Sequence, residues 1–196
     1  DGTKFGKTAG GAIWLDPEMT SPYAFFQYWL NTDDKDVVNF LKVFSFKTRE
    51  EIEALEKSHA ENPGAREAHR ALARELTSLV HSEDICNRVE AAARALFGQG
   101  ELSELDEVTL ASALAELPRT TVKSGDPIPT WVDLLAATGV VDSKSAARRI
   151  VKEGGAYLNN VKIAGEDFAP QKSDFLCGKY AVLRKGKRDL AAVELI

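Results

Sequence analysis

Two hydrophobic rhythms divide the chain. From Tyr23 to Leu117 apolar residues return every three or four positions, the period of helices, whereas from Ala156 onward short apolar runs alternate with turn residues in the manner of strands. Ser21-Pro22 supplies an N-cap and a first-turn proline for a helix bearing Tyr23, Phe25, Phe26, Tyr28, Trp29 and Leu30. These side chains point in nearly every direction. The helix is therefore expected at the centre of its domain, packed on the next one through Val37, Val38, Phe40, Leu41 and Phe44, with its rings in the core rather than stacking nucleobases. Thr48-Arg49-Glu50-Glu51 has the form of a capping box, and Asn62-Pro63-Gly64 stops the helix it opens. Ala65, Ala68, Leu72, Leu76, Leu79 and Val80 predict another helix, and Ser82 opens one that runs through Val89, Ala93, Leu96 and Phe97 to a Gly98 cap. A final helical stretch over 104–117 stops at Pro118. Residues 22–117 thus read as a helical bundle that follows an irregular start at 1–21.

Residues 118–130 hold three prolines and one glycine without apolar periodicity, which predicts a linker. A smaller unit over 131–196 comes next. Its pattern predicts helices at 131–138 and 144–153, the second capped by Ser143 and closed by Gly154-Gly155, then strands at 156–159, 161–164, 175–183 and 190–195. The expected fold class is α+β, a helical bundle followed by a small α+β domain.

Composition excludes several classes. With 196 residues and 44% apolar content the chain can form one or two globular domains and is no disordered tail. No apolar run approaches the ~20 residues of a membrane span, and Asp1-Gly2-Thr3-Lys4 leads into no signal-peptide core, so a cytoplasmic protein without membrane association is expected. Cys86 and Cys177 are far apart, with no CxxC or Cys/His cluster, so neither a disulfide framework nor a metal site is indicated. His59, His69 and His81 show no pairing with a nucleophile or metal-ligand partner and are not expected to be catalytic. Carboxylates on the helices alternate with bases at i,i+4, as Glu53 with Lys57, and read as solvated faces.

Charge changes the picture. The chain's formal net charge is -5, yet residues 143–188 carry 11 bases against 4 acids, while 33–117 carry 10 against 18. A polyanionic partner for the C-terminal unit is one reading and a merely solvated basic face the other. In the 144–153 helix, Ala147, Ile150 and Val151 form an inward face, and Lys144, Arg148 and Lys152 fall at i, i+4 and i+8 on one outward stripe beside Arg149. Cations about 6 Å apart on a rigid helix can follow successive phosphates of an RNA backbone. The hairpin after Gly154-Gly155 is expected to bring Asn159, Asn160 and Lys162 alongside, and Arg184-Lys185-Gly186-Lys187-Arg188 adds a basic turn. Cations scattered over opposite surfaces, or engaged internally with carboxylates, would defeat this reading.

The stretch from Ser143 to Asn160, SKSAARRIVKEGGAYLNN, resembles the RNA-binding module first recognised in ribosomal protein S4. At the other end, Lys4-Phe5-Gly6-Lys7-Thr8 holds two lysines around a small-residue loop. Lysines so placed can close on a triphosphate, although the spacing is not that of a P-loop and an inert terminus is the alternative. Its continuation through Gly10-Gly11-Ala12-Ile13-Trp14-Leu15-Asp16-Pro17 and Ser21-Pro22-Tyr23-Ala24-Phe25-Phe26-Gln27-Tyr28-Trp29-Leu30-Asn31 is similar to bacterial tyrosyl-tRNA synthetases. In that family KFGKT is the local form of the class I KMSKS loop, and the resemblance extends over the whole chain.

What the resemblance implies is a ligase that activates tyrosine with ATP and Mg2+, transfers it to tRNA(Tyr), works as a homodimer and holds no tightly bound cofactor. Lys7 and Lys4 would be its catalytic, ATP-binding lysines, with Thr8 beside them. Residues 22–117 would receive the anticodon arm. The S4-like module at 131–196 would grip tRNA through Lys144, Arg148, Arg149, Lys152, Lys162, Lys185, Lys187 and Arg188. The family's HIGH-type motif and tyrosine pocket are not among these 196 residues, so the chain alone is expected not to form tyrosyl-adenylate. Two alternatives stand beside this reading: a stand-alone S4-type RNA-binding module, and an interaction protein whose bundle docks a partner.

Overall fold

A computed structural model describes residues 12–196. Ser21 caps α1 (Pro22–Leu30), its hydroxyl accepting from the Ala24 amide at 3.1 Å. Tyr23, Phe25, Phe26 and Trp29 are buried, and the Trp29 ring meets Phe40 and Phe44 of α2 (Val37–Phe44) edge-on. The all-round aromatic pattern is therefore core. At the start of α3 (Arg49–Glu61) the Thr48 amide donates to Glu51 at 2.7 Å and the Glu51 amide to the Thr48 hydroxyl at 3.3 Å, which satisfies two end donors of the helix. Glu53 pairs with Arg49 and Lys57 with Glu61, so acids and bases do interleave, with each partner one turn from the one expected. Next come α4 (Glu67–His81), which packs on α1, α2 and α3, and α5 (Glu83–Leu96).

The chain divides into two units, Asp1–Val89 and Glu90–Ile196. The three histidines lie in the first. His69 is fully buried, with its Nε2 3.0 Å from the Thr32 carbonyl and 3.2 Å from Asp34. His59 Nε2 is 3.0 Å from the Asp34 carbonyl, so both rings hold the turn between α1 and α2. His81 lies edge-on to Phe25. Burial holds the pKa values of His69 and His81 below the ordinary histidine value, and for His69 the nearby Arg66 guanidinium adds to the effect.

In the second unit, α6 (Glu107–Ala115) is shorter than the helix expected over 104–117, because Asp106 caps it through the Thr109 amide and residues 102–104 form a separate 3-10 turn. The stretch at 118–130 is not wholly linker. Arg119–Val122 is strand β1, which lies parallel to β5 (Asp189–Leu195) with Arg119 opposite Ala192 and Val122 opposite Leu195. Four residues beside a proline give no periodicity to read, and their pairing partner is about 70 residues away in sequence.

Helices α7 (Trp131–Ala137) and α8 (Lys144–Lys152) then lead into β2 (Ala156–Leu158), β3 (Val161–Lys162) and β4 (Tyr180–Lys185). The sheet runs β1-β5-β4-β2-β3, antiparallel except for β1 with β5. Trp131, Leu134 and Leu135 of α7 and Ala147 and Val151 of α8 share one core with Leu158, Ala181, Leu183, Ala191 and Val193 of the sheet. The chain is thus α+β. Strand β4 starts later than expected because 172–174 form a 3-10 turn and Cys177 and Gly178 take positive φ in a tight turn before Tyr180.

Candidate nucleic-acid interface

The candidate surface is built on α8. The Ser143 hydroxyl caps its first turn, Ala147 and Val151 face the core, and the cations of the opposite side are left in solvent. The expected stripe of free charges is, however, a row of ion pairs. Lys144 Nζ lies 2.6 Å from Asp133, a carboxylate in the first turn of α7 that also accepts from the Thr130 hydroxyl at 2.8 Å. The Lys144 hydrogen bond holds the Asp133 carboxyl below the usual carboxylate range. Glu166 bridges two rungs, 3.7 Å from Arg148 Nε and 3.2 Å from Lys152 Nζ. Arg149 pairs with Glu153 at 3.8 Å. These four cations keep 51% to 76% of their side-chain surface in solvent, so each pair contributes only about 0–1 kcal/mol and a phosphate can compete for its cation.

The hairpin also differs from expectation. Asn159 and Asn160 both take positive φ to make the β2–β3 turn. The Asn159 side chain donates to the Asp174 carbonyl and accepts from the Val182 amide at 2.8 Å, and Asn160 Nδ2 donates to the Ala95 carbonyl at 2.7 Å near the end of α5. Both side chains thus tie the turn to the rest of the unit. Lys162 is placed beside α8 as expected. Its ammonium lies over Gly154, and Gly154 has φ +73°, a backbone conformation that favours glycine. There the lysine stands near the carbonyl end of the helix, which favours positive charge.

The basic turn between β4 and β5 is more open. Arg184 is used internally, with its guanidinium 3.9 Å above the Tyr157 ring and Nη1 donating to the Gly186 carbonyl at 2.9 Å. Lys185 pairs with Asp189 at 2.8 Å. Lys187 and Arg188 form no ion pair among the described residues, and neither does Lys162. Of the eight cations expected to face RNA, five are engaged with carboxylates, the arrangement that counts against the RNA reading, and these three are not. Three of the eight fall on neighbouring clefts. Arg149 and Lys185 line one cleft of about 380 Å³, Lys185 and Arg188 line a second of about 370 Å³, and Val140 belongs to both, so helix and turn share a continuous surface.

Sequence reasoning missed the carboxylates. Glu153 and Asp189 stand four residues after their partners and could have been read from spacing, whereas Asp133 and Glu166 come from other segments. It also missed Phe97, whose ring edges the second cleft. Lys4, Lys7 and Thr8 lie outside the described residues. Among the described residues no group of three or more His, Cys, Asp or Glu could hold a metal ion, and no helix is long and apolar enough to cross a membrane.

Residues 1–98 match the profile of the tRNA synthetases class I (W and Y), and residues 109–193 match that of the Tyrosine--tRNA ligase SYY-like C-terminal domain. The Tyrosine--tRNA ligase of Streptomyces avermitilis is 64% identical over 195 residues, which cover 100% of this chain and 46% of the relative. That of Streptomyces coelicolor is 60% identical with the same coverage, and that of Corynebacterium glutamicum 52% identical over 100% of this chain and 47% of its own length. The chain spans about half the length of the curated relatives it matches. Among solved structures, a C-terminally truncated Aspergillus nidulans mitochondrial tyrosyl-tRNA synthetase is 37% identical over 44% of this chain and 25% of that one, with a TM-score of 0.42.

Proposed function

Because the chain belongs to the class I tRNA synthetases of the W and Y family, we propose that it is the tRNA-gripping part of a tyrosine–tRNA ligase. The ligase activates tyrosine with ATP and Mg2+, transfers it to tRNA(Tyr), and acts as a cytoplasmic homodimer. In this proposal Lys4 and Lys7 hold the phosphates of ATP while charge builds on the departing pyrophosphate, and Thr8 assists. The second unit holds the tRNA backbone. Lys162, Lys187 and Arg188 offer charge directly, while Lys144, Arg148, Arg149, Lys152 and Lys185 exchange a carboxylate for a phosphate when the tRNA arrives.

The observation that carries this reading is the coincidence of unmatched cations with the segment that resembles the ligase's C-terminal domain. Neutralisation of phosphates by the available cations releases the counterions of the RNA, so binding weakens as salt rises. The test is competition between tyrosine tRNA and an unrelated tRNA for this chain at several salt concentrations. Preferential, salt-sensitive retention of tyrosine tRNA is expected; equal competition would point instead to a general RNA-binding module, and no binding at all to a protein-docking role. In a pyrophosphate-exchange assay with tyrosine, ATP and Mg2+, these 196 residues on their own are expected to show no turnover above background.

A further inference from the structure

We propose that the cleft edged by Phe97 is a seat for one unstacked RNA base, ring against ring, with the adjoining phosphate on Arg188. The inference rests on the RNA-binding reading above and adds to it a site that reads single-stranded RNA.

Four observations converge on the cleft. Phe97 is 47% exposed, whereas Trp131, Phe175 and Tyr180 of the same unit are buried, Phe168 is partly buried against the core and Tyr157 is covered by Arg184, so Phe97 is this unit's one openly presented ring. Its backbone is fixed: the Phe97 and Gln99 amides donate to the Arg94 carbonyl at 3.2 and 2.9 Å, and the Gly98 amide and Asn160 side chain both donate to the Ala95 carbonyl. The remaining apolar wall is Leu117, Pro118, Val140 and Leu190, around a volume of about 370 Å³. That lies near the lower end of the ~300–1,000 Å³ of small-molecule clefts, a size for a single planar group rather than a helix face. Finally, the rim carries charge of one usable sign. Asp189 is offset by Lys185, which lines the same cleft, and Arg188, which has no carboxylate partner among the described residues, leaves the rim with a net positive charge.

An anchored ring beside an available guanidinium suits a nucleotide, whose base offers a π-face and whose phosphate needs a cation. A base within a duplex cannot present that face, because both sides are covered by its neighbours. The seat therefore selects loops, bulges or ends of an RNA over its helical stems.

The test uses this chain with a short oligoribonucleotide containing 5-iodouridine, both single-stranded and annealed to its complement, followed by photocrosslinking and mass-spectrometric mapping. The single strand is expected to crosslink at Phe97 and the duplex not to do so. Phe97→Leu, which keeps an apolar cover and is checked by its melting temperature, should lose the crosslink at that position. It should also weaken single-strand binding about fivefold or more, while Phe97→Tyr restores both. Crosslinks confined to other residues, or equal weakening of single strand and duplex by Phe97→Leu, would overturn the base seat. Failure of the underlying reading looks different: Lys187→Ala and Arg188→Ala would then leave tRNA binding unchanged. If those variants weaken tRNA binding but the Phe97 crosslink is absent, the base seat alone is wrong.

Discussion

Helix α8 and the β4–β5 turn carry comparable formal charge, four cations on one and four on the other, yet they hold it differently. Every cation on α8 has a carboxylate within 4 Å, drawn from α7, from the loop after β3 or from the residue that caps the helix C-terminus. In the turn only Lys185 is matched, Arg184 lies across Tyr157, and Lys187 and Arg188 are left to solvent. The difference separates the charge a segment contains from the charge it can offer. A matched cation must give up its partner before it gains a phosphate, so it returns less binding energy than an unmatched one.

The strongest way to break the contrast is to remove the frame that both regions share. Trp131 is fully buried and its indole donates to the Tyr157 carbonyl at 3.0 Å. Trp131→Ala should cost about 3–5 kcal/mol and abolish RNA binding through helix and turn together. Chemical denaturation followed by tRNA titration checks both parts. Binding that survives unfolding of this unit would show that neither region is the contact.

Next in size is the unmatched lysine beside the matched helix. Lys162→Ala should weaken tRNA binding and shrink the log–log salt slope by about 0.7–0.9, a full phosphate contact, although it removes one charge only. An unchanged slope would place Lys162 off the RNA. Glu166→Gln sharpens the contrast from the other side, because it releases Arg148 and Lys152 at once. Affinity for tRNA should rise about two- to fivefold, the scale of an exposed ion pair, and a fall would mean that Glu166 serves chiefly to position the two cations.

The smallest effect is set by pH. The folded chain binds fewer protons at His69 and His81 than the unfolded chain does, since burial lowers both pKa values from 6.5. Stability is therefore complete above about 6.5 and is lost as pH falls below it toward the lowered values. Because these groups lie in the first unit, melting near pH 5.5 should show earlier unfolding of that unit. Asp133, held below the usual carboxylate range, stays ionised there and keeps Lys144 clamped. Earlier melting of the second unit at that pH would contradict the assignment.

Local signals made most of the fold legible. Caps at Ser21, Thr48 and Ser143, the glycines at 98 and 154, and the shift of period from helix to strand each depend on residues within a turn of one another. Strand β1 was not legible, because its existence depends on pairing with β5 at the far end of the chain. The same limit applies to the interface. The stripe of cations follows from helical spacing, but Asp133 and Glu166 reach it through tertiary packing, and the Asn159 and Asn160 side chains turn inward toward carbonyls and an amide that only the folded chain brings near. Periodicity gives the face a residue lies on and says nothing of which distant group arrives opposite it. Phe97, read as the last apolar position of its helix, edges a cleft for the same reason.

The claim that available charge governs the RNA contact is tested most directly by measuring tRNA(Tyr) affinity against salt for two double variants side by side, Lys187→Ala with Arg188→Ala and Lys144→Ala with Lys152→Ala. Each removes two positive charges from the same unit. The account predicts a slope loss of about 1.4–1.8 for the turn pair and a clearly smaller loss for the helix pair, whose carboxylates had already offset it. Equal losses, or a larger loss for the helix pair, would contradict it.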